Sequence, residues 1–100
     1  MTGLDCNVHG EYARAKALIS GRVQGVGFRS FAYRYANAFE LTGWVKNLHD
    51  GRVEVVVEGD KNKVSQYVRL LETGSPWSRV DNICIQWQPY TGDLSSFRVQ

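Results

Sequence analysis

Between Gly21 and Arg29 the chain reads Gly-Arg-Val-Gln-Gly-Val-Gly-Phe-Arg, and eighteen residues beyond Arg29 stands Asn47. Glycines at 21, 25 and 27 open backbone conformations closed to other residues. Between a strand and the first turn of a helix, such a loop lets unpaired amide N–H groups and the positive end of a helix dipole converge, a nest that suits an oxyanion. The Gly-x-x-x-Gly-x-Gly spacing matches neither the nucleoside triphosphatase loop nor the dinucleotide fingerprint, and no acidic magnesium ligand follows at a suggestive position, which disfavours ATP hydrolysis. Arg29 falls in the first helical turn, where a cation is disfavoured by ~0.3–1 kcal/mol unless an anion lies between it and the dipole. Asn47 ends a strand with both a donor and an acceptor to offer. Each feature also has a plainer reading: a tight crossover for the glycines, surface solvation for Arg29, and turn chemistry for an Asn beside Asp50-Gly51.

The elements that must hold these residues are legible in the hydrophobic period. Residues 1–10 follow neither helical nor strand period and read as a flexible leader, leaving a single domain over 11–100. From Tyr12 to Ser20, Ala13, Ala15, Ala17 and Ile19 alternate with more polar residues, predicting a first strand. Phe28, Phe31, Ala32, Tyr35, Ala36 and Phe39 recur at helical spacing through Glu40. Leu41 to Leu48 and Arg52 to Glu58 read as strands, joined by His49-Asp50-Gly51 as a hairpin. Asp60 is placed to cap a second helix carrying Val64, Tyr67, Val68 and Leu71 on one face, stopped by Gly74 and Pro76. Val80 to Gln88 gives a fourth strand, and Phe97 to Val99 a short fifth.

The order βαββαβ with a tail strand, under right-handed crossovers, predicts an α+β chain: a ferredoxin-like split βαβ sandwich, an antiparallel-rich sheet with two helices on one face. In that arrangement the first and third strands are expected to lie parallel in the centre, with the fourth antiparallel beside the first. Cys84 then lies beside the first strand near Ile19, several residues at ~3.3 Å each from Cys6, beyond the ~7 Å Cα limit of a disulfide, so two free thiols are expected.

Composition narrows the class. One hundred residues with 43% hydrophobic content suit one domain, and a net charge of +2 with interspersed signs leaves no tract resembling a nucleic-acid-binding arm. No apolar run is longer than the three valines Val55 to Val57, far below the ~18 residues of a membrane span, and no signal peptide opens the chain; a cytoplasmic protein without membrane or nucleic-acid partners is expected. Two cysteines and two isolated histidines lack metal-ligand spacing, so neither a metal nor a cofactor is expected. At least two of Trp44, Trp77 and Trp87 are expected to serve core or rim packing. Lys46, facing away from Asn47 across the strand, is expected to be a solvated charge, and Asp50 a turn residue.

The paired segments Gly21-Arg22-Val23-Gln24-Gly25-Val26-Gly27-Phe28-Arg29 and Gly43-Trp44-Val45-Lys46-Asn47-Leu48-His49-Asp50-Gly51 resemble the two signatures of the acylphosphatases, in the same order and spacing. The resemblance extends through Gly74-Ser75-Pro76 and Ser78-Arg79-Val80 to Phe97-Arg98-Val99, covering roughly residues 12–100. It departs at Leu48, where related chains often carry Thr after the Asn, and Gly27 occupies a position that varies.

The resemblance implies hydrolysis of the carboxyl-phosphate anhydride of acyl phosphates to carboxylate and inorganic phosphate. Arg29 then holds the phosphate, Asn47 orients the attacking water, and the amides of Gln24, Gly25, Val26, Gly27 and Phe28 form the cradle. Inorganic phosphate is both product and expected competitive inhibitor, and the chain is expected to act as a monomer.

The rival classes are weaker. RNA binding on the sheet would call for aromatics that Arg52-Val53-Glu54-Val55-Val56-Val57-Glu58 lacks. A non-catalytic phosphate or acyl-phosphate binding module is the alternative function. A fragment of a larger carbamoylation enzyme is disfavoured by the isolated chain.

Overall fold

The computed structural model describes residues 11–100; the leader expected over 1–10, with Cys6 and His9, lies outside the described residues. The elements run β1 (Tyr12–Arg22), α1 (Phe28–Ala38), β2 (Thr42–Asn47), β3 (Val53–Asp60), α2 (Lys61–Thr73), β4 (Arg79–Gln88) and β5 (Phe97–Val99). The fold is the expected ferredoxin-like α+β sandwich, its five-stranded sheet ordered β4-β1-β3-β2-β5. Alternation along β1 and β3 turns Ala15, Ala17, Ile19, Val53, Val55 and Val57 onto one sheet face, all buried. Phe28, Ala32 and Ala36 of α1 and Val64, Tyr67 and Leu71 of α2 close over that face.

One topological expectation is corrected. β1 and β3 are neighbours but antiparallel, with Ala17 opposite Val55, not parallel. The reason is connectivity. The β1–α1–β2 crossover returns β2 in the direction of β1, and the hairpin then reverses the chain, so β3, inserted between them, runs against both. The parallel pair is β2 with β5, Val45 opposite Val99.

The two helices begin differently. Asp60 caps α2, its Oδ1 accepting from the N–H groups of Asn62 (2.9 Å) and Lys63 (3.2 Å). At α1 the capping residue is Gly27, in the left-handed region at φ 78°, and no side chain accepts from the helix's first N–H groups. The helices meet where the buried Tyr67 hydroxyl donates to Ala32 O (2.7 Å), and burial pushes that phenol's pKa up.

The sheet's other face carries charge. Glu58, 1% exposed, accepts from Arg14 Nη1 (3.0 Å), Thr91 N (2.9 Å), Thr91 Oγ1 (2.8 Å) and Gly92 N (3.1 Å), which clasps the β4–β5 connection to the sheet. Burial pushes this carboxyl's pKa up, but the hydrogen bonds from Thr91, Arg14 and Gly92 outweigh it and hold the group below its ordinary 4.5. Cys84 is a free, exposed thiol opposite Leu18. Among the described residues no helix is long and apolar enough to cross a membrane.

Candidate active site

Where β1 ends, Val23 drops its side chain into the core at 1% exposure and pins the start of the loop. Gly25 and Gly27 follow at φ 75° and 78°, the left-handed region that disfavours a Cβ, and Phe28 then buries its ring as the first residue of α1. Between these anchors the backbone turns tightly, and none of the N–H groups from Gln24 to Gly27 donates to a main-chain oxygen of the described residues. The uncapped start of α1 thus adds its own free donors to those of the loop.

Asn47 arrives from the other side of the crossover. It is the last residue of β2, opposite Val53, and shares the helix-facing side of that strand with Gly43 and Val45. Its Oδ1 is buried and has no hydrogen-bond partner among the described residues. A buried acceptor left unpaired costs roughly 1–3 kcal/mol, so its place on the wall of a cleft calls for a role.

That cleft, of ≈ 150 Å³, is lined by Gly25, Gly27, Phe28, Arg29 and Asn47 of the expected residues. Val23, Ser30 and Val99 complete it. Ser30 follows Arg29 in the first helical turn and could have been read as a neighbour of the loop. Val99 had no such signal, because only the parallel pairing of β5 with β2 carries it there. The Arg29 side chain is exposed, and its Nη1 donates to the main-chain oxygen of Gln100 (2.9 Å), one residue past Val99.

Gln24 and Val26 do not line the cleft. The Gln24 side chain turns away from it, Nε2 donating to the main-chain oxygens of Leu48 (2.8 Å) and Arg52 (2.9 Å), which ties the loop to the hairpin beyond Asn47. Within that hairpin Asp50 accepts from Arg52 N (3.1 Å) and Arg52 Nε (2.8 Å), as its turn role requires, and these bonds, Arg52 N–H foremost, hold its carboxyl below the ordinary range. Lys46, on the opposite face from Asn47, lies 3.8 Å from Glu54.

The tryptophan expectation is corrected. Trp77 is 80% exposed and Trp87 51% exposed. Trp87 sits near the end of the edge strand β4, and Trp77 at the tip of a turn, where neither has a second layer to cover it. Trp44 packs as expected, donating from Nε1 to Glu54 Oε2 (2.9 Å) beneath the Arg14 guanidinium.

The arrangement joins free amides, a helix N-terminus, a guanidinium and an unpaired amide oxygen around a cleft the size of a small anion's surroundings. Comparison with known proteins agrees with it. The acylphosphatase family model matches residues 15–99. The chain is similar to an acylphosphatase of Pelotomaculum thermopropionicum, 46% identical over 87 residues, covering 87% of this chain and 95% of that protein. It is similar also to one from Caldanaerobacter subterraneus subsp. tengcongensis, 43% identical over 81 residues, covering 81% and 90%. The crystal structure of an acylphosphatase from Bacillus subtilis superposes with a TM-score of 0.85 at 38% identity, over 88% of this chain and 98% of that one. Signature loop, strand-end Asn, sheet order and near-full-length similarity converge, and the chain belongs to the acylphosphatase family.

Proposed function

We propose that this chain hydrolyses acyl phosphates to a carboxylate and inorganic phosphate, with Arg29 and the amides of the Gly25–Phe28 loop holding the phosphate and Asn47 orienting the attacking water. The observation that carries this reading is the buried, unpartnered Oδ1 of Asn47 on the same cleft wall system as Arg29 and the uncapped start of α1. A water held by the Asn47 side-chain amide has its lone pair directed across the cleft towards a phosphorus held by the loop amides.

The chemistry asks for little more. A carboxylate leaves easily, its conjugate acid having a pKa near ~4, so no general acid is needed at neutral pH. Loose phosphoryl transfer is accelerated mainly by positioning and by stabilising charge on the equatorial oxygens, tasks that fixed N–H donors and one guanidinium perform. The water attacks phosphorus, the P–O bond to the acyl oxygen breaks, that oxygen keeps the electron pair as carboxylate, and the water's proton passes to the phosphate.

On this reading neither a metal nor a cofactor takes part, the phosphate product competes with substrate for the same cradle, and the chain acts as a cytoplasmic monomer whose site is lined by one copy. The test is hydrolysis of benzoyl phosphate by the purified chain in excess EDTA, followed by ultraviolet absorbance, beside Arg29→Ala. Turnover that resists EDTA and vanishes in the variant is the expected result. Turnover no faster than the uncatalysed rate, with phosphate still raising the Tm, would identify a silent phosphate-binding module instead.

A further inference from the structure

A second cleft, of ≈ 260 Å³, adjoins the phosphate cleft and shares Gly27 and Ser30 with it. Its remaining walls are Val26, Phe31, Pro76 and Trp77, with Arg34 and Ser75 beside them. Apart from the Val26 amide, the mechanism above uses none of these groups. Trp77 is the most exposed large apolar side chain of the described residues, at 80%. An indole so displayed, next to other apolar side chains, marks a binding surface more readily than an isolated surface residue does.

The turn that displays it is built firmly. Ser75 is buried at 7% exposure, and its main-chain oxygen accepts from both Ser78 N (3.1 Å) and Ser78 Oγ (2.8 Å), closing the turn around Pro76 and Trp77. Pro76 adds a fixed φ within that turn. On another wall Phe31 stands one helical turn beyond Gly27, its N–H donating to Gly27 O (3.0 Å), so that wall lies about one ~5.4 Å pitch of α1 from the glycine loop.

The substrate has two halves joined by a single oxygen, so a phosphate seated at Gly25–Arg29 obliges its acyl group to leave the cradle within that distance. We infer that the cleft between the first turns of α1 and the Ser75–Ser78 turn is the acyl subsite, and that Trp77 makes the enzyme favour aromatic acyl groups. Resting on the proposed function, this names the substrate class of the same site. Phe31 and Trp77 offer ring faces and edges to an aryl group, and Arg34 offers a cation that an aromatic ring attracts and an alkyl chain does not.

The test separates this inference from the reading beneath it by measuring binding without turnover. The full chain is titrated calorimetrically with methylphosphonate and with benzylphosphonate, which share the anionic head and differ in the group that follows it. The wild type binds benzylphosphonate more tightly. Trp77→Ala lowers the benzyl-to-methyl affinity ratio by about two- to tenfold, the range of one aromatic pair, and Trp77→Phe restores most of it. Because Trp77 is largely exposed, thermal unfolding of both variants stays close to wild type. An unchanged ratio in Trp77→Ala, or no benzyl preference in the wild type while methylphosphonate binds, overturns the acyl subsite alone. Failure of both phosphonates to bind the wild type overturns the phosphate cradle, and the subsite with it.

Discussion

The side-chain amide of Gln24 donates to the main-chain oxygen of Leu48 across 2.8 Å, fastening the glycine loop to the residue that follows Asn47. Together with its second bond to Arg52 O (2.9 Å), this fixes the distance between the two halves of the site, which arrive on different elements. Gln24→Ala removes both bonds. A misplacement on the order of 1 Å can cost ~10²-fold in rate, so kcat/KM is expected to fall about 10- to 100-fold while the fold persists. Steady-state kinetics beside a thermal melt checks this; a variant with wild-type kcat/KM would show that the tie positions nothing.

Arg29 and Asn47 are expected to fail in different ways. Arg29→Ala should abolish both turnover and competitive inhibition by inorganic phosphate, because the guanidinium acts on the anion's charge. Asn47→Ala should cut kcat by ~10²–10³, the scale of losing one transition-state hydrogen bond, while phosphate still binds. Equal loss of phosphate binding in both would contradict the division.

Gly25 and Gly27 test the backbone of the cradle apart from its volume. A Cβ at either position meets nothing within 4 Å, so the strain of Ala there is that of the positive φ alone. Each Gly→Ala change should cost about 1–2 kcal/mol if the loop keeps its shape. Gly43 differs: at φ 146° its Cβ would run into the main-chain oxygen of Val56, so Gly43→Ala must also part β2 from β3 and should destabilise more. Chemical denaturation of the three variants ranks them.

Glu58 predicts an acid limit to stability. Its pKa is held below 4.5 in the folded chain, so folding favours the ionised form. The resulting stability is fully present above the unfolded-state value and is lost as pH falls through the folded one. Glu58→Gln should therefore flatten the decline of Tm below about pH 4.5 and lower Tm at neutral pH, with about 1–3 kcal/mol lost where charged hydrogen bonds are weakened. Scanning calorimetry between acid and neutral pH reads both effects.

Tyr67→Phe isolates the one buried hydroxyl bond between the helices. Its Oη reaches Ala32 O at 2.7 Å, and its removal should cost about 1 kcal/mol, since the ring continues to fill the core while Ala32 O loses a partner. Equilibrium unfolding by urea measures the difference.

Much of this protein is determined by its sequence. The two-residue period of Ala15, Ala17 and Ile19, the helical spacing of Phe28, Ala32 and Ala36, and the Asp50-Gly51 turn are local signals, and local sterics suffice to make their elements. The glycine loop, Arg29 and Asn47 were legible for the same reason, since each sits at an element boundary that its neighbours mark. Tertiary structure decided what depends on chain ends meeting. It inserted β3 antiparallel between β1 and β2, and brought Val99 beside the cleft through β5. It turned the Gln24 amide onto the hairpin and left Trp77 in the open on its turn. None of these follows from residue type or period, because hydrogen-bond partners far apart in sequence and the shielding of a side chain are properties of the packed whole.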